Sequence, residues 1–318
     1  GDLCLVPKKV LSSSEVIEKI DLKKYVYGKR IRVTESEILA SQTRCNRYLW
    51  CNEDLAELIG YLVTDGCVSD STTSIYNGLD LSYAKRCKLL IEKVFGLTAT
   101  IEKSPDKVSP KNFPRAKKQT YFNNFGSSVV REFVTQEIGH LTINKRVPEF
   151  IFNSSDKCKM AFLKACVRGA GGKLTNYSLK SSFRKYHFGS FVSTTSYLLA
   201  SGLVVLSKQL GLLPRVEPSE VRTATSGAPT YAWRVRFSEA KNQMLHSINL
   251  RKKKNNRYSD IPSRNKNLIE KALSSVKDWN VVQVKEIKYV NRSGKVYDLV
   301  VPENHSFCAG LGGVLVHN

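Results

Sequence analysis

Asp65 and Gly66 form an Asp-Gly pair at the end of a stretch whose pattern predicts a helix. A carboxylate there would lie beside the negative end of the helix dipole, which carries about half an elementary charge. A cation bound next to the carboxylate best explains that placement. Two such acids at paired helix ends would form an oxygen-ligand site for Mg²⁺, with phosphate groups supplying further ligands. Asp-Gly alone is also an ordinary turn, so the surrounding elements must decide.

The predicted helix covers Leu55–Gly66 and has two distinct faces. Ala56 and Gly60 stand four positions apart, where small side chains allow a second backbone to approach closely. Asn52 or Asp54 is expected to cap the start of the helix, and the closing glycine to end it in the left-handed conformation. An apolar stripe is formed by Leu55, Leu58, Ile59 and Leu62.

The helical pattern recurs 105 positions later (161 − 56). Ala161 and Ala165 then occupy the two small-residue positions, and Gly171 occupies the position of the closing glycine. Ala170 stands where the first copy has Asp65. Helices with matching small faces are expected to pack against each other, which would bring the two helix ends together.

A second pair of similar segments is offset by 115 positions (211 − 96). Phe95-Gly96-Leu97 with Ile101-Glu102 recurs as Leu210-Gly211-Leu212 with Val216-Glu217. We interpret the ten-position difference between the two offsets (115 − 105) as an insertion in the second copy. The repeat predicts a pseudo-twofold domain of two α/β units. The alternative is two unrelated core helices whose alanines coincide by chance.

The charge of the chain indicates a polyanionic partner. The 318 residues (35.8 kDa) include 50 Lys and Arg against 28 Asp and Glu, which gives a net charge of +22 and a pI near 9.7. Nucleic acid is favoured over a membrane, because no basic amphipathic anchor helix is visible. A hydrophobic fraction of 42% excludes wholesale disorder. No apolar run approaches the roughly 20 residues of a membrane span.

The location expected from the sequence is intracellular, in the cytoplasm or, in a eukaryote, the nucleus. The N-terminus does not carry the charged and apolar regions of a secretory signal. The eight cysteines include no CxxC pair and stand mostly among apolar neighbours. We therefore expect reduced core thiols rather than disulfides or a zinc site.

The composition changes near Trp279. From Gln283 onward four basic and three acidic residues leave a charge of 4 − 3 = +1, so the preceding chain carries 22 − 1 = +21. Asn267–Val276 has a helical pattern, whereas the stretch beginning at Val282 is typical of a small β module. The basic stretch Arg251–Arg257 is either a solvated loop or a set of phosphate contacts.

Basic residues on predicted strands outline a nucleic-acid surface. Alternation along Tyr231–Phe237 places Arg234 and Arg236 on one face and apolar side chains on the other. The segment 103–118 is predicted to form a long basic ribbon that fits a major groove. A solvated basic face remains the alternative for any single residue. The candidate contacts are Lys103, Lys107, Lys111, Arg115, Lys117, Lys118, Arg184, Lys185, Arg222, Arg234, Arg236, Lys252, Lys253 and Lys254.

These motifs resemble those of intein-encoded LAGLIDADG homing endonucleases, and the resemblance covers nearly the whole chain. Leu55–Gly66 resembles the first LAGLIDADG block, Lys145–Phe152 the block between the motifs, and Phe162–Gly171 the second motif. Val296–Phe307 and Gly312–Asn318 resemble the closing blocks of an intein (Hint) splicing domain. The opening residues 1–7 resemble the strand that precedes the endonuclease insertion in such inteins.

The resemblance implies an α+β fold class. It implies a pseudo-twofold endonuclease of two αββαββα-like units and a partial all-β splicing module. The corresponding domains are a splicing strand in 1–10, an N-terminal extension in 11–54, an endonuclease in 55–278 (repeats 55–155 and 156–278) and a splicing segment in 279–318. In the extension, Thr34-x-x-Glu37 resembles a capping box before a helix through Ile38 and Leu39. This extension either contacts flanking DNA or braces the first motif helix.

The activity implied by the resemblance is Mg²⁺-dependent hydrolysis of both strands of a long double-stranded DNA site by a monomer, with Ca²⁺ or Mn²⁺ as substitute ions. Asp65, Gly66, Ala170 and Gly171 would occupy the metal positions, and Lys145 would polarise the attacking water or the scissile phosphate. Ala170 departs from the family, because a methyl group cannot coordinate Mg²⁺. Its origin is either a substitution that leaves the DNA uncut, which the intact Gly-Ala-Gly frame favours, or natural decay. We therefore expect DNA binding with little or no cleavage.

Protein splicing chemistry is implied for the tail. Asn318 would cyclise by attack of its side-chain amide on its own carbonyl carbon. His305 and His317 would assist by proton transfer, and Asp298 would assist thioester exchange. The blocks of the upstream splicing half are not found, so this chain alone is not expected to splice and would need an N-terminal intein fragment as partner. The alternatives to an endonuclease are thus a non-cleaving DNA- or RNA-binding module and one fragment of a split intein.

Overall fold

The computed structural model describes residues 3–7, 15–27, 31–40, 42–103, 120–170, 191–212, 214–222, 229–237, 279–283, 306–309 and 314–317. In these residues the α-helices are α1 (Glu53–Asp65), α2 (Leu81–Phe95), α3 (Ser128–Ile138), α4 (Glu149–Phe152), α5 (Asp156–Gly169) and α6 (Tyr197–Gln209). Short 3₁₀ turns cover Leu22–Tyr25 and Thr142–Asn144. The strands are β1 (Leu3–Pro7), β2 (Lys19–Asp21), β3 (Ile31–Val33), β4 (Glu37–Ala40), β5 (Thr43–Asn46), β6 (Tyr48–Trp50), β7 (Gly66–Val68), β8 (Thr73–Gly78), β9 (Thr100–Lys103), β10 (Tyr121–Phe125), β11 (Phe191–Thr194), β12 (Arg215–Arg222), β13 (Pro229–Arg236), β14 (Trp279–Gln283), β15 (Ser306–Ala309) and β16 (Val314–His317).

Helix α1 begins at a side-chain cap and ends in a strand. The side chain of Asn52 accepts a hydrogen bond from the backbone N–H of Leu55 (3.0 Å), so Asn52 is the cap. Asp54 instead forms an ion pair with Arg86 of α2 (3.0 Å). The predicted left-handed ending at Gly66 is wrong, because this residue is extended (φ −73°, ψ 141°) and starts β7. Glycine is nevertheless required there, since a Cβ would collide with the backbone of the preceding helical turn.

The strands around α2 and those around α6 form two sheets of similar order. The first unit runs α1, β7, β8, α2, β9, β10 and α3, and its antiparallel sheet has the order β7-β8-β10-β9. The second unit contains α5, β11, α6, β12 and β13, with the sheet order β11-β13-β12. In both units the strand before the central helix pairs with the last strand, which also pairs with the strand after the helix. The two sheets therefore share one topology over the strands that can be compared.

Gly96 and Gly211 occupy equivalent places in the two units. Gly96 follows α2 with φ +68°, and Gly211 follows α6 with φ +70°. The left-handed conformation is accessible to glycine without steric cost. In each unit this conformation turns the backbone from the helix toward the next strand. The similarity of these two segments in sequence thus reflects the same backbone turn.

Replacing these glycines with alanine is expected to separate backbone strain from side-chain collision. Gly211→Ala places a Cβ in open space, so its cost should be about 1 kcal/mol of unfolding free energy from the left-handed backbone. Gly96→Ala should cost roughly 1 kcal/mol more, because its Cβ would lie 2.7 Å from Oδ1 of Asn46. Urea denaturation of both variants measures the difference. Equal losses would contradict the packing of Asn46 against the α2 turn.

Helices α1 and α5 pack with their small residues facing each other. A Cβ built at Gly60 would lie 2.6 Å from Cβ of Ala165 and 2.7 Å from the carbonyl oxygen of Phe162. Gly169, at the end of α5, approaches Thr64 and Asp65 so closely that a side chain there would collide with both. The residues that meet, 60 with 165 and 64 with 169, are separated by the 105-position offset of the repeat. The residues in contact are therefore equivalent positions of the two repeated segments.

The N-terminal extension packs against the first unit. Tyr25 packs edge-on against Phe133 of α3 (5.2 Å between ring centroids), and its hydroxyl donates to Glu137 (2.7 Å). Asn46 donates through Nδ2 to the backbone of Val94 in α2 (3.0 Å). The extension also contributes Leu22, Ile38, Cys45 and Leu49 to the hydrophobic core. The extension therefore packs against α2 and α3 of the first unit, and its two predicted roles, bracing of the first motif helix and contact with flanking DNA, stay predictions.

The capping-box interpretation of Thr34 and Glu37 is wrong. Glu37 begins strand β4, which pairs with β3 and β5, instead of opening a helix. The Thr34 hydroxyl bonds both the N–H and the carbonyl of Glu37 (3.0 Å each), which closes the tight turn between β3 and β4. Pairing with β3 and β5 outweighs the local helix signal. The burial of Ile38 between less buried neighbours is the alternation typical of a strand.

Strands near the two ends of the chain form two small sheets that lie in contact. Strand β1 pairs antiparallel with β14 in the register Leu3 with Gln283 through Pro7 with Trp279. Strands β15 and β16 form an antiparallel hairpin, and β16 contacts β1. The predicted helix at Asn267–Val276 lies outside the described residues. Among the described residues no helix is long and apolar enough to cross a membrane.

Candidate functional site

Asp65 lies at the C-terminal end of α1, beside the end of α5. Its Oδ2 accepts a hydrogen bond from the Tyr83 hydroxyl (3.0 Å), which projects from α2. Asp65 also touches the backbone of Gly169, where only glycine leaves enough room. The carboxylate is therefore held at the junction of α1, α2 and α5. A side chain fixed in this way is suited to holding a ligand in one orientation.

Lys145 reaches the same helix end from the segment before α4. Its side chain is buried (7% exposed), and Nζ donates to the carbonyl oxygens of Gly66 (2.8 Å) and Leu62 (3.4 Å). The carbonyl of Lys145 accepts a hydrogen bond from the Ser196 hydroxyl (2.5 Å), and Ser196 caps α6. Lys145 thus bonds one carbonyl in the last turn of α1 and the carbonyl of the residue that follows the helix, and it connects the first unit to the second.

Burial sets the protonation of the two charged groups. It raises the pKa of Asp65 to about 6, against the opposing effects of the Tyr83 hydrogen bond and the Lys145 charge. It also lowers the pKa of Lys145 from its usual value, and the nearby Asp65 carboxylate opposes that change. Both groups are thus less stable in their charged forms than in water. A cation bound near Asp65 would favour its charged form, and a phosphate bound near Lys145 would favour the charged form of the lysine.

The raised pKa of Asp65 makes stability depend on pH. The folded state holds the proton more tightly than the unfolded chain, so the unfolding free energy should fall as pH rises from about 4 to about 6. The expected loss is on the order of 2 kcal/mol. Asp65→Asn removes this titration and should be more stable than the unsubstituted protein at pH 7. Urea denaturation of both proteins from pH 4 to pH 7 gives the difference, and parallel pH profiles would contradict it.

Ala170 is partly buried at the end of α5. Its N–H donates to the carbonyl of Cys166 (3.0 Å), and its methyl group packs against the hydrophobic core. The second helix end therefore supplies no side-chain oxygen, as the sequence predicted. In the described part of the chain no three Asp, Glu, His or Cys side chains come together as metal ligands. Gly171, the remaining predicted metal position, lies outside the described residues.

Several predicted DNA contacts can be placed. Lys103 is exposed at the end of β9, which pairs antiparallel with β10. The rest of the predicted ribbon, 104–118, lies outside the described residues. Arg234 and Arg236 lie on one face of β13, both over the ring of Phe191, while Val235 and Phe237 are buried. The predicted alternation therefore holds from Arg234 to Phe237, whereas Ala232, on the same face as the arginines, is buried. Arg236 also pairs with Glu217 of β12 (3.1 Å), which holds part of its charge.

For the other predicted site residues the structure gives at most the strand in which they lie. Arg222 is part of β12 and His317 is part of β16. The remaining predicted residues lie outside the described chain: Lys107, Lys111, Arg115, Lys117, Lys118, Arg184, Lys185, Lys252, Lys253, Lys254, Asp298, His305 and Asn318. Their roles stay predictions.

Two residues near the site were not predicted: Tyr83, which bonds Asp65, and Arg168, which stacks on Tyr83. The Arg168 guanidinium stacks on the Tyr83 ring (4.9 Å to its centroid) and pairs with Asp80 (3.3 Å). No spacing rule connects Tyr83 to Asp65, because they stand on different helices. Arg168 could have been noticed in the sequence, because it is a charged residue at the position where the first motif has the apolar Val63.

The chain is similar to segments of archaeal proteins. It is 24% identical over 310 residues to a protein named DNA polymerase from Thermococcus sp. (strain GE8) and 25% identical over 297 residues to one of that name from Thermococcus kodakarensis. These alignments cover 86% and 84% of the chain but only 16% of each polymerase. Over 318 residues it is 26% identical to an uncharacterized Methanocaldococcus jannaschii protein, covering 98% of the chain and 32% of the relative. No protein-family profile matches the chain.

Proposed function

We propose that this chain is an intein-type LAGLIDADG DNA endonuclease that binds duplex DNA across the paired ends of α1 and α5, and that Ala170 impairs its cleavage activity. The observation that carries the proposal is the contact of two small-faced helices that leaves Asp65 at their joined ends. The repeated sheet order supports the pseudo-twofold relation that an endonuclease acting on both strands would use. The net charge of +22 supports a polyanionic ligand.

The origin within an intein is supported by two independent observations. Strand β1 pairs with β14, so residues far apart in the chain form one small sheet outside the two repeated units. This is expected if the endonuclease (55–278) is inserted into a splicing domain that contributes 1–10 and 279–318. The similarity to only 16% of each Thermococcus DNA polymerase is the pattern expected if the matched segment is an inserted element.

Magnesium fits the described residues as a half-site. Mg²⁺ is commonly bound by one or two carboxylates together with phosphate oxygens and water. Asp65 supplies one carboxylate, whose burial favours a neighbouring cation. Ala170 supplies no side-chain oxygen, and the carbonyl of Gly66 already accepts from Lys145. Among the described residues, the joined helix ends therefore supply one side-chain carboxylate and not a symmetric pair.

In this proposal each residue has a distinct task. Asp65 would hold the ion, which supplies Lewis-acid polarisation of a phosphate oxygen. Tyr83 fixes the orientation of the Asp65 carboxylate through its hydroxyl. Lys145 holds the end of α1 in place and adds positive charge beneath the site. Because Ala170 has no carboxylate to bind a metal ion for cleavage of the second DNA strand, we expect complexes with uncut DNA to accumulate.

Duplex binding with a steep salt dependence tests the proposal. The affinity for a duplex of about 40 base pairs should fall at least about tenfold between roughly 50 and 150 mM salt, because phosphate contacts release counterions. Fluorescence anisotropy measures this, with dextran sulfate added to show competition by a polyanion. A chain that does not bind DNA at low salt, or whose affinity does not change with salt, would overturn the proposal.

A binding module without nuclease activity is the second candidate, and Ala170 favours it. In that case the fold recognises DNA or RNA, and restoring an acid at position 170 produces no cleavage. A third candidate, one fragment of a split intein, is supported by the two small sheets that the strands near the chain ends form. In that role Asp298, His305, His317 and Asn318 would carry out splicing. It requires that a separately made N-terminal fragment ligates to this chain, and absence of ligation would reject it.

A further inference from the structure

Arg168 combines solvent exposure with a fixed orientation next to the proposed site. It lies in the last turn of α5, two positions before Ala170, and its side chain is 41% exposed. The guanidinium stacks on the ring of Tyr83, and the hydroxyl of that ring donates to Asp65. Arg168 is thus connected to the Asp65 carboxylate through a single side chain.

The two repeats differ in charge at this point. By the 105-position offset Arg168 corresponds to Val63 (168 − 105), which is buried with 1% exposure. Ala170 likewise corresponds to Asp65 (170 − 105). The first helix end therefore carries a carboxylate, whereas the second carries an exposed guanidinium. The two halves of the site present opposite charges.

We infer that Arg168 binds a backbone phosphate of the bound nucleic acid at the α5 half of the site. This inference rests on the proposed function. It gives the α5 half of the proposed DNA site a phosphate contact that does not require a carboxylate at position 170. A guanidinium offers several donors in a planar arrangement that matches the oxygens of a phosphate. Stacking on Tyr83 orients this plane before the ligand arrives, which reduces the entropy lost on binding.

Asp80 holds Arg168 until DNA binds. The two side chains are 41% and 51% exposed and 3.3 Å apart, and such exposed pairs contribute little free energy. A phosphate can therefore replace Asp80 as the partner at small cost. Asp80 has a second task, because its Oδ1 caps α2 by accepting from the N–H of Tyr83 (3.0 Å). Asparagine caps helices as well as aspartate does, so the charge can be removed while the cap is kept.

Replacement of Arg168 tests the phosphate contact against a purely structural role. A structural arginine would stabilise the helix end through its dipole and would not alter DNA affinity. Arg168→Gln is expected to weaken duplex binding about tenfold and to reduce the salt slope by about one. Lys157→Gln is the matched control, since it removes the same charge from the first turn of the same helix. That control should change affinity less than about twofold.

Asp80→Asn tests the release of Arg168. We expect about threefold tighter binding in the otherwise unchanged protein and no gain when Arg168→Gln is present. An equal gain in both backgrounds would show simple repulsion between Asp80 and DNA and would reject the release step. If the unsubstituted chain binds DNA and Arg168→Gln behaves like Lys157→Gln, the phosphate contact is rejected while the proposed function stands. If the unsubstituted chain does not bind DNA, both are rejected.

Discussion

Ala170→Asp is expected to raise Mg²⁺-dependent DNA cleavage on the order of 100-fold or more. The substitution adds a carboxylate to the end of α5, which packs against the end of α1 where Asp65 lies. Two carboxylates at these ends would supply a pair of acidic ligands where the described residues now provide one. Cleavage of the two DNA strands would then no longer depend on the Asp65 carboxylate alone.

The same substitution should make stability depend on the metal. Without Mg²⁺ the two neighbouring carboxylates repel each other, and the pKa of Asp65 should rise further. Mg²⁺ relieves this repulsion, so it should raise the melting temperature of the Ala170→Asp variant more than that of the unsubstituted protein. This readout requires no DNA target.

Cleavage is best measured on duplexes that the unsubstituted chain itself selects. Because we expect this chain to bind without cutting, rounds of binding to a randomised pool would enrich its target. The enriched duplexes are then incubated with the Ala170→Asp variant and Mg²⁺. Asp65→Asn in the same background is the control and should abolish cleavage. Equal cleavage by the unsubstituted and Ala170→Asp proteins would reject the role of position 170.

Gly60→Val is expected to destabilise the protein by about 4 kcal/mol or to prevent folding. A Cβ at this position already lies 2.6 Å from Ala165 and 2.7 Å from the backbone oxygen of Phe162. The backbone oxygen cannot rotate away as the end of a flexible side chain can. Helices α1 and α5 would have to separate, which opens the packed interface on which Asp65 depends.

Gly126→Ala provides the matched control for this prediction. Its added Cβ would meet only the carbonyl oxygen of Ser71 at 3.7 Å, an ordinary contact, so stability should change by less than about 1 kcal/mol. Ala165→Gly combined with Gly60→Ala should recover part of the stability lost by Gly60→Ala, because it removes one of the two collisions. Urea denaturation measures all of these. A Gly60→Val protein as stable as the Gly126→Ala protein would contradict the close approach of the helices.

Local spacing was enough to predict the features that depend on one element. The small faces of α1 and α5 follow from residues four apart, and the recurring glycines at 96 and 211 mark equivalent places in the two units. The strand around Arg234 follows from simple alternation. Each of these requires only the period of a helix or strand and the special backbone of glycine.

Features that depend on neighbours in space were not predictable from the sequence. Thr34 and Glu37 match a capping box, but pairing with β3 and β5 makes that segment a strand. Gly66 has the composition of a helix end, but close contact with the preceding turn, rather than a left-handed backbone, explains its glycine. Tyr83 contacts Asp65 only because α2 packs beside α1. The burial that raises the pKa of Asp65 likewise depends on three elements meeting.

A structure of this chain bound to the selected duplex tests the central claim most directly. It predicts that the duplex crosses the joined ends of α1 and α5, with the sugar-phosphate backbones above Asp65 and Ala170. A duplex bound on another face of the protein, or helix ends pointing away from the DNA, would contradict the account.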